Sequence, residues 1–294
     1  MEIFTNLFFI KTTAMTNTQF ILLSYFICNI SCNNTARATE PEPEKRSPEP
    51  QPTSIGKIPL PNGFHYLNTG DTLYAKWLRE IKLKSSNVVY LYDGNTKSYQ
   101  GAQFAVLDLG IGKKDLIQCA DAAMKLRADY LFSRERFSEI KFTATSGDEV
   151  SFERWIGGTR WKEQRGKLVA YTNSGRPGAS EASYQSFMEM VYSYCGTYSL
   201  AKQLTNVTSI RRIEPGDVFV EGGFPGHAVT VMAVAKNDAG KIIFLLSQGY
   251  MPAQDIHLLK NFGNNELSPW YDVDDLYPLY TPQWQFANGS LRKW

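Results

Sequence analysis

The sequence predicts an α+β fold, and three observations carry that expectation. The runs Pro215–Val220, Gly226–Val234 and Ile242–Gln248 are rich in Val, Ile and Phe and are separated by turn-formers: Gly222-Gly223 and Pro225-Gly226, then Asn237-Asp238-Ala-Gly240. Each is short and bounded, so they read as three successive strands of an antiparallel meander. Segments near 72–81, 116–132 and 180–194 instead carry apolar residues at helical spacing. With 43% apolar and 13% aromatic residues over 294 positions, the chain has enough hydrocarbon for a substantial core.

Taken in order, the chain begins with an apolar stretch, Phe20 to Ile27, of secretory-signal length and shorter than the ~20 residues of an ordinary membrane-spanning helix. It leads to Ile30-Ser31-Cys32, which resembles a bacterial lipobox with Cys32 as the lipidated first residue; ordinary cleaved secretion and a retained anchor are the alternatives. Translation starts at Met1 or Met15. Residues 1–32 are thus read as a signal or lipoprotein segment. Residues 33–56 are read as an extended tether, because Thr39 to Pro52 alternates Pro with Glu and has nothing to bury. The implied location is the cell envelope, with the membrane as partner through the lipid.

A single globular domain is expected over 57–294, with an N-terminal α/β portion at 58–175 and a second portion at 180–294. In the first portion, Asp71 or Thr72 caps a helix to about Ile81. The runs 88–92 and 103–109 read as paired strands, and Asp115 caps a helix from Leu116 to about Phe132 with one apolar stripe that includes Cys119. Residues 140–170 read as strand-rich. A helix over 180–194 is followed by a break at Gly196. The 31 basic and 29 acidic residues are mixed along the chain, so no nucleic-acid footprint is expected.

His227 follows a glycine at the start of the middle strand, a place where a strand can hold an imidazole still as a general base. Gln248 ends the next strand, and antiparallel pairing brings that end near the start of its neighbour, so the amide could fix the ring tautomer. The plain alternative is a strand-end histidine and a turn-capping glutamine. If the signal is removed, Cys119 and Cys195 are the remaining thiols, read as two buried cysteines in preference to a disulfide.

Cys195, then Pro215-Gly-Asp-Val-Phe-Val220, Gly226-His-Ala-Val229 and Phe244-Leu-Leu-Ser-Gln248, resemble the nucleophile helix, first strand, histidine strand and orienting strand of papain-like cysteine peptidases and their peptidoglycan-cleaving NlpC/P60 and amidase relatives. The resemblance covers about residues 180–260. It implies a papain-like half-domain, a helix plus antiparallel meander, packed on the N-terminal portion, with Cys195 as nucleophile, His227 as base and Gln248 as orienter. Such a thiolate belongs at a helix N-terminus. Cys195 follows Val191-Tyr-Ser-Tyr194 and departs from that pattern unless Gly196 breaks the helix; Cys119 is the other thiol, read about one turn inside its helix.

At whole-domain scale the chain resembles the domain-of-unknown-function family forty-eight forty-six, known from secreted proteins and lipoproteins of Bacteroidetes. The likeness rests on Gln103 to Asp108, Gln118-Cys-Ala-Asp-Ala122, Leu126-Arg-Ala-Asp-Tyr130, Pro225-Gly-His-Ala-Val229, and Gln248-Gly-Tyr-Met-Pro-Ala-Gln-Asp-Ile-His257 through Ser268-Pro-Trp-Tyr271. It implies identity and location without chemistry. Gln254 and Asp255 read as a polar loop bordering a groove, and Trp270 and Tyr271 as aromatics that line it or pack its rim. Asp255 and His257 alternate along one strand face, but two ligands make no metal site and no cofactor is expected. Two functions follow: a cell-envelope cysteine hydrolase or amidase acting on peptide or peptidoglycan, or a non-catalytic lipoprotein that binds a glycan or peptide in the same groove.

Overall fold

In a computed structural model, which describes residues 51–67, 70–276 and 278–294, segments far apart in sequence meet in one nine-stranded antiparallel sheet. Its strands are β1 (Phe64–Tyr66), β2 (Gln103–Val106), β7 (Thr205–Asn206), β8 (Val218–Glu221), β9 (His227–Asn237), β10 (Ile242–Gln248), β11 (His257–Leu259), β12 (Tyr271–Asp272) and β15 (Leu291–Lys293). Outside it lie three hairpins: β3 (Lys141–Thr143) with β4 (Glu149–Ser151), β5 (Thr159–Gln164) with β6 (Lys167–Thr172), and β13 (Leu279–Tyr280) with β14 (Gln285–Phe286). The helices are α1 (Thr72–Glu80), α2 (Cys119–Ser133), α3 (Phe152–Ile156), α4 (Glu181–Tyr194) and α5 (Thr197–Gln203). The mixture of helix and antiparallel sheet is the α+β class. The residues expected to form a signal segment and tether, including Cys32, lie outside the described residues up to position 50.

The large sheet runs in the order β2-β11-β10-β9-β8-β15-β7, with β1 and β12 added beside β9 and β10. Strand alternation divides the hydrocarbon between its two faces. Val218, Val220, Ala228, Met232, Ile243 and Leu245 join one core with α1, α2 and α4. Phe219, Val229, Val231, Val234, Phe244 and Leu246 join a second core closed by Tyr271, Val273 and Phe286. The β9–β10 register shifts between Leu245 and Leu246, so Met232 is an extra residue in a β-bulge. Each large side chain fully buried here contributes roughly 1.5–3 kcal/mol of transfer free energy.

Two portions split near residue 175 do not describe this architecture. β1 and β2 from the first portion pair with β9 and β11 of the second, and α2 packs on β9 and β10. The reason is burial: β9 is covered on both faces over most of its length, so the meander cannot stand without the N-terminal segments as its second layer. The tether also ends earlier than position 56, since Ile55 is fully buried in a 3-10 turn over Ile55–Lys57 and its N–H bonds Ile81 O. Residues 88–92 make isolated bridges rather than a strand. Helix α3 interrupts the expected strands around Trp155.

Asp71 caps α1, its Oδ1 accepting from Tyr74 N–H at 3.1 Å, and Ser180 caps α4 through Ser183 N–H at 3.2 Å. Helix α2 differs from its expected form in two ways. It is buried nearly all round from Ala120 to Leu131, including Asp121 and Lys125, rather than along one stripe. It also starts at Cys119: Gln118 and Asp121 form a capping box, while Asp115 Oδ1 accepts from Ala253 N–H at 2.6 Å and from Gln118 Nε2 at 3.2 Å. Cys119 is therefore the first residue of the helix, not one turn inside it.

Candidate functional site

His227 opens β9 opposite Glu221, the last residue of β8. Gly226 before it packs so closely that a Cβ there would sit 2.4 Å from Thr197 Oγ1 and 2.6 Å from Glu221 O. Gln248 ends β10, alongside the start of β9. His227 Nε2 and Gln248 Oε1 are 3.0 Å apart. Three aromatic rings enclose the imidazole: Tyr250, Trp284 and Phe286, with centroids 5.2, 5.3 and 5.8 Å away. The ring is 2% exposed.

The pair continues into a buried polar chain. Gln248 Nε2 donates to Gln283 Oε1 at 2.8 Å and lies 3.3 Å from His257 Nε2. His257 Nδ1 donates to the Asp255 carbonyl at 2.8 Å, and Lys97 Nζ donates to Gln283 Oε1 at 2.7 Å. Lys97 is buried and its ammonium stands 5.7 Å from the centre of the Tyr250 ring. Burial lowers the three bases together, His227 to about 4, His257 to about 3 and Lys97 to about 8. The Gln248 hydrogen bond and Glu221 oppose the shift at His227, while the Lys97 charge adds to it at both imidazoles. Both imidazoles are neutral at pH 7.

Cys119 and Cys195 are both free, the first at the start of α2 and the second at the junction of α4 and α5. Cys119 begins α2, where the dipole is positive and backbone N–H groups are unspent. The N–H groups of Ala228, Ala120 and Cys119 itself lie against its sulfur and pull its pKa down, but burial and then the Asp121 carboxylate outweigh them and push it up to about 11. Ala228 is the residue after His227, and α2, which Cys119 begins, packs on β9. Cys119 is half-buried and Cys195 is buried.

Cys195 is the C-cap of α4, its N–H bonding Val191 O, and directly precedes Gly196, the N-cap of α5, so the helix breaks at Gly196 and Cys195 lies between the negative end of one helix and the positive end of the next. Burial followed by Asp121 pushes its thiol up to about 12. Among the described residues no hydrogen bond joins Cys195 to His227 or Gln248. The structure thus brings His227 and Gln248 together with the start of α2, and leaves Cys195 buried at the α4–α5 junction, where burial and then Asp121 disfavour a thiolate.

The proposed groove residues are all buried, although Tyr271 edges a pocket with Asn261, Asp275 and Tyr280. Trp270 and Tyr271 are each 2% exposed; the Trp270 indole donates to Pro59 O at 2.9 Å and the Tyr271 hydroxyl to Lys260 O at 2.6 Å. These bonds explain the burial, since each large ring finds a partner for its one polar atom inside the core. Asp255 accepts from Lys84 Nζ at 2.9 Å and from Tyr90 N–H at 3.1 Å, and Gln254 is buried beside Leu91 in an isolated bridge. The polar run 254–257 therefore braces the sheet from inside. Among the described residues, no cluster of acidic, histidine and cysteine side chains is arranged to hold a metal ion.

Sequence reasoning did not single out Lys97, Gln283, Tyr250 or Phe286. Lys97 sits in the polar turn Asp93 to Gln100, where nothing separates a buried lysine from the solvated ones around it. Gln283 had one usable signal, its place inside Pro282-Gln-Trp-Gln-Phe286, a polar residue amid ring-bearing neighbours.

The family described as domain of unknown function (4846) matches residues 55–293, nearly all of the described residues, and the chain belongs to it. No curated protein and no solved structure matches the chain.

Proposed function

We propose that this member of an uncharacterised domain family is a papain-like cysteine hydrolase or amidase with Cys119 as nucleophile, His227 as base and Gln248 as orienter. The observation that carries the reading is the place of Cys119 as first residue of α2, the helix packed on β9, while His227 at the start of β9 is held by Gln248 and the Ala228 N–H beside it favours the Cys119 thiolate. A thiol at that end of a helix gains from the dipole as it ionises, and the same N–H groups can receive the oxyanion of a tetrahedral intermediate. His227 Nδ1 takes no hydrogen bond among the described residues and is the atom left to accept the thiol proton. The Cys119 sulfur then forms a bond to a carbonyl carbon, and the imidazolium returns the proton to the departing amine. Cys119 replaces Cys195 in the role because α2 packs on β9, which His227 opens, whereas Cys195 makes no hydrogen bond to His227 or Gln248 among the described residues.

Peptide or peptidoglycan stems are the substrate class, and the cell envelope the location. Support for the location comes from the apolar stretch at 20–27, Cys32 and the Pro/Glu tether, which together fit an exported, lipid-anchored protein. One observation favours the alternative of a non-catalytic domain that binds a glycan or peptide: the His227 imidazole is enclosed by three rings and both thiols are shifted away from ionisation.

Labelling the full chain with an electrophilic thiol probe, followed by peptide mapping, decides between them. The hydrolase reading expects the label on Cys119, with a rate that falls at least about tenfold in His227→Ala. Slow labelling, or labelling indifferent to that substitution, removes the hydrolase and leaves the binding domain. His227-dependent labelling of Cys195 would return the nucleophile to that residue.

A further inference from the structure

We infer that Lys97, Gln283 and His257 are positioning residues that lock the Gln248 amide in one orientation and so hold His227 as the Nε2–H tautomer, with Nδ1 as its free base. The inference deepens the proposed function and rests on His227 being the base there, but the lock itself is a property of the resting protein.

The argument is one of donors and acceptors. An ammonium only donates, so the Gln283 atom 2.7 Å from Lys97 Nζ must be its oxygen. That same oxygen lies 2.8 Å from Gln248, which must therefore present its NH2 group. From the other side, a backbone carbonyl only accepts, so His257 carries its proton on Nδ1, 2.8 Å from Asp255 O. A neutral His257 then offers Nε2 as an acceptor, 3.3 Å from the Gln248 nitrogen. Both hydrogens of the Gln248 amide are thereby assigned, and its oxygen is the only atom left to face His227 Nε2 at 3.0 Å. An oxygen there requires a proton on Nε2.

The two ends of the chain admit one role each, so the direction of every bond between them follows. Gln248, His257 and His227 are 1%, 0% and 2% exposed, and Lys97 is 6% exposed. Water has little access to the Gln248 amide itself, so a flipped amide would set NH2 against N–H and oxygen against a lone pair, while Gln283, partly exposed, is where the chain meets solvent. A glutamine alone could orient His227 either way round. The lysine and the second histidine remove that freedom, and this is a role for a buried lysine whose ammonium, among the described residues, donates to a neutral amide.

The test is the imidazole nitrogen NMR spectrum of the full chain labelled with nitrogen-15 histidine. With 3 histidines in the sequence, His65→Gln and His257→Gln variants, each deleting one set of signals, assign all three rings. The expected result is Nε2–H at His227 and Nδ1–H at His257. Gln283→Leu should move the Nε2–H to Nδ1–H ratio at His227 by a factor of roughly 2–10, the worth of one ordinary hydrogen bond. Gln283→Glu, which keeps an acceptor for both neighbours, should leave it unchanged. Lys97→Met frees the Gln283 amide to rotate and should act in the same direction as Gln283→Leu, and it serves if that variant does not fold. Finding Nδ1–H at His227 in the unaltered chain overturns the inference. So does a His227 tautomer indifferent to both Gln283→Leu and Lys97→Met. Because the spectrum is read without substrate or thiol probe, the lock can stand while Cys119 proves inert, or fall while Cys119 labels in a His227-dependent way.

Discussion

Acid should destabilise this domain through His227, and the size of the effect follows from its burial. The imidazole has an ordinary pKa of 6.5 and is lowered to about 4 in the folded chain, first by desolvation. A base with a depressed native pKa binds more protons when unfolded between those two values, so stability is complete above pH 6.5 and is lost as pH falls toward 4. At pH 5 the unfolded imidazole is almost fully protonated and the native one almost neutral, which costs about 2 kcal/mol relative to pH 7. His227→Gln keeps a donor for Gln248 and removes the titration. Urea unfolding of both proteins at pH 7 and pH 5 should therefore show a pH-dependent loss smaller by about 2 kcal/mol in the variant. Taking the difference between proteins cancels the buried carboxyls of Asp121 and Asp217, raised by burial to about 8 and 7, whose effect runs the opposite way. Losses that agree within about 0.5 kcal/mol would refute the reasoning, because they would mean that the ring titrates in the folded state as it does in water.

Two further outcomes test the frame around the site. A Cβ at Gly249 would lie 2.7 Å from Gln118 O and 3.1 Å from Ala122 Cβ, so Gly249→Ala should push the start of α2 off the end of β10. The expected cost is about 1–3 kcal/mol by thermal unfolding, with a changed Cys119 labelling rate; wild-type behaviour in both would show that the contact is slack. Trp270→Phe removes the indole bond to Pro59 O and leaves that carbonyl without its partner, so a loss of about 1–3 kcal/mol is expected in urea titrations, and a neutral result would mean that water replaces the indole.

Local chemistry carried much of the architecture. Short β-branched runs punctuated by Gly, Pro and Asn specify β8, β9 and β10, because strand propensity and turn residues act within a few positions. Asp71 and Ser180 announce the starts of α1 and α4 for the same reason. His227 and Gln248 were legible as a pair, since antiparallel pairing of neighbouring strands follows from a short turn. What failed were judgements of exposure. Trp270 and Tyr271 read as rim aromatics, yet each is buried by a partner that lies many residues away or across a strand, Pro59 and Lys260. Cys119 read as a helix-interior thiol because Asp115 is a good cap by type, whereas the backbone turns through 115–118 and the capping box falls on Gln118 and Asp121.

By itself, then, the sequence determined the α+β class, the meander, the helix segments and the His227–Gln248 pair, all set by interactions between residues near in the chain or joined by tight turns. Only the tertiary structure decided that β1 and β2 complete the same sheet, that α2 rather than α4 presents a thiol to β9, and that Lys97, Gln283 and His257 close a buried polar chain around Gln248. Those outcomes depend on which distant surfaces exclude water from one another, and burial of that kind is a property of the packed whole that no local pattern of side chains encodes.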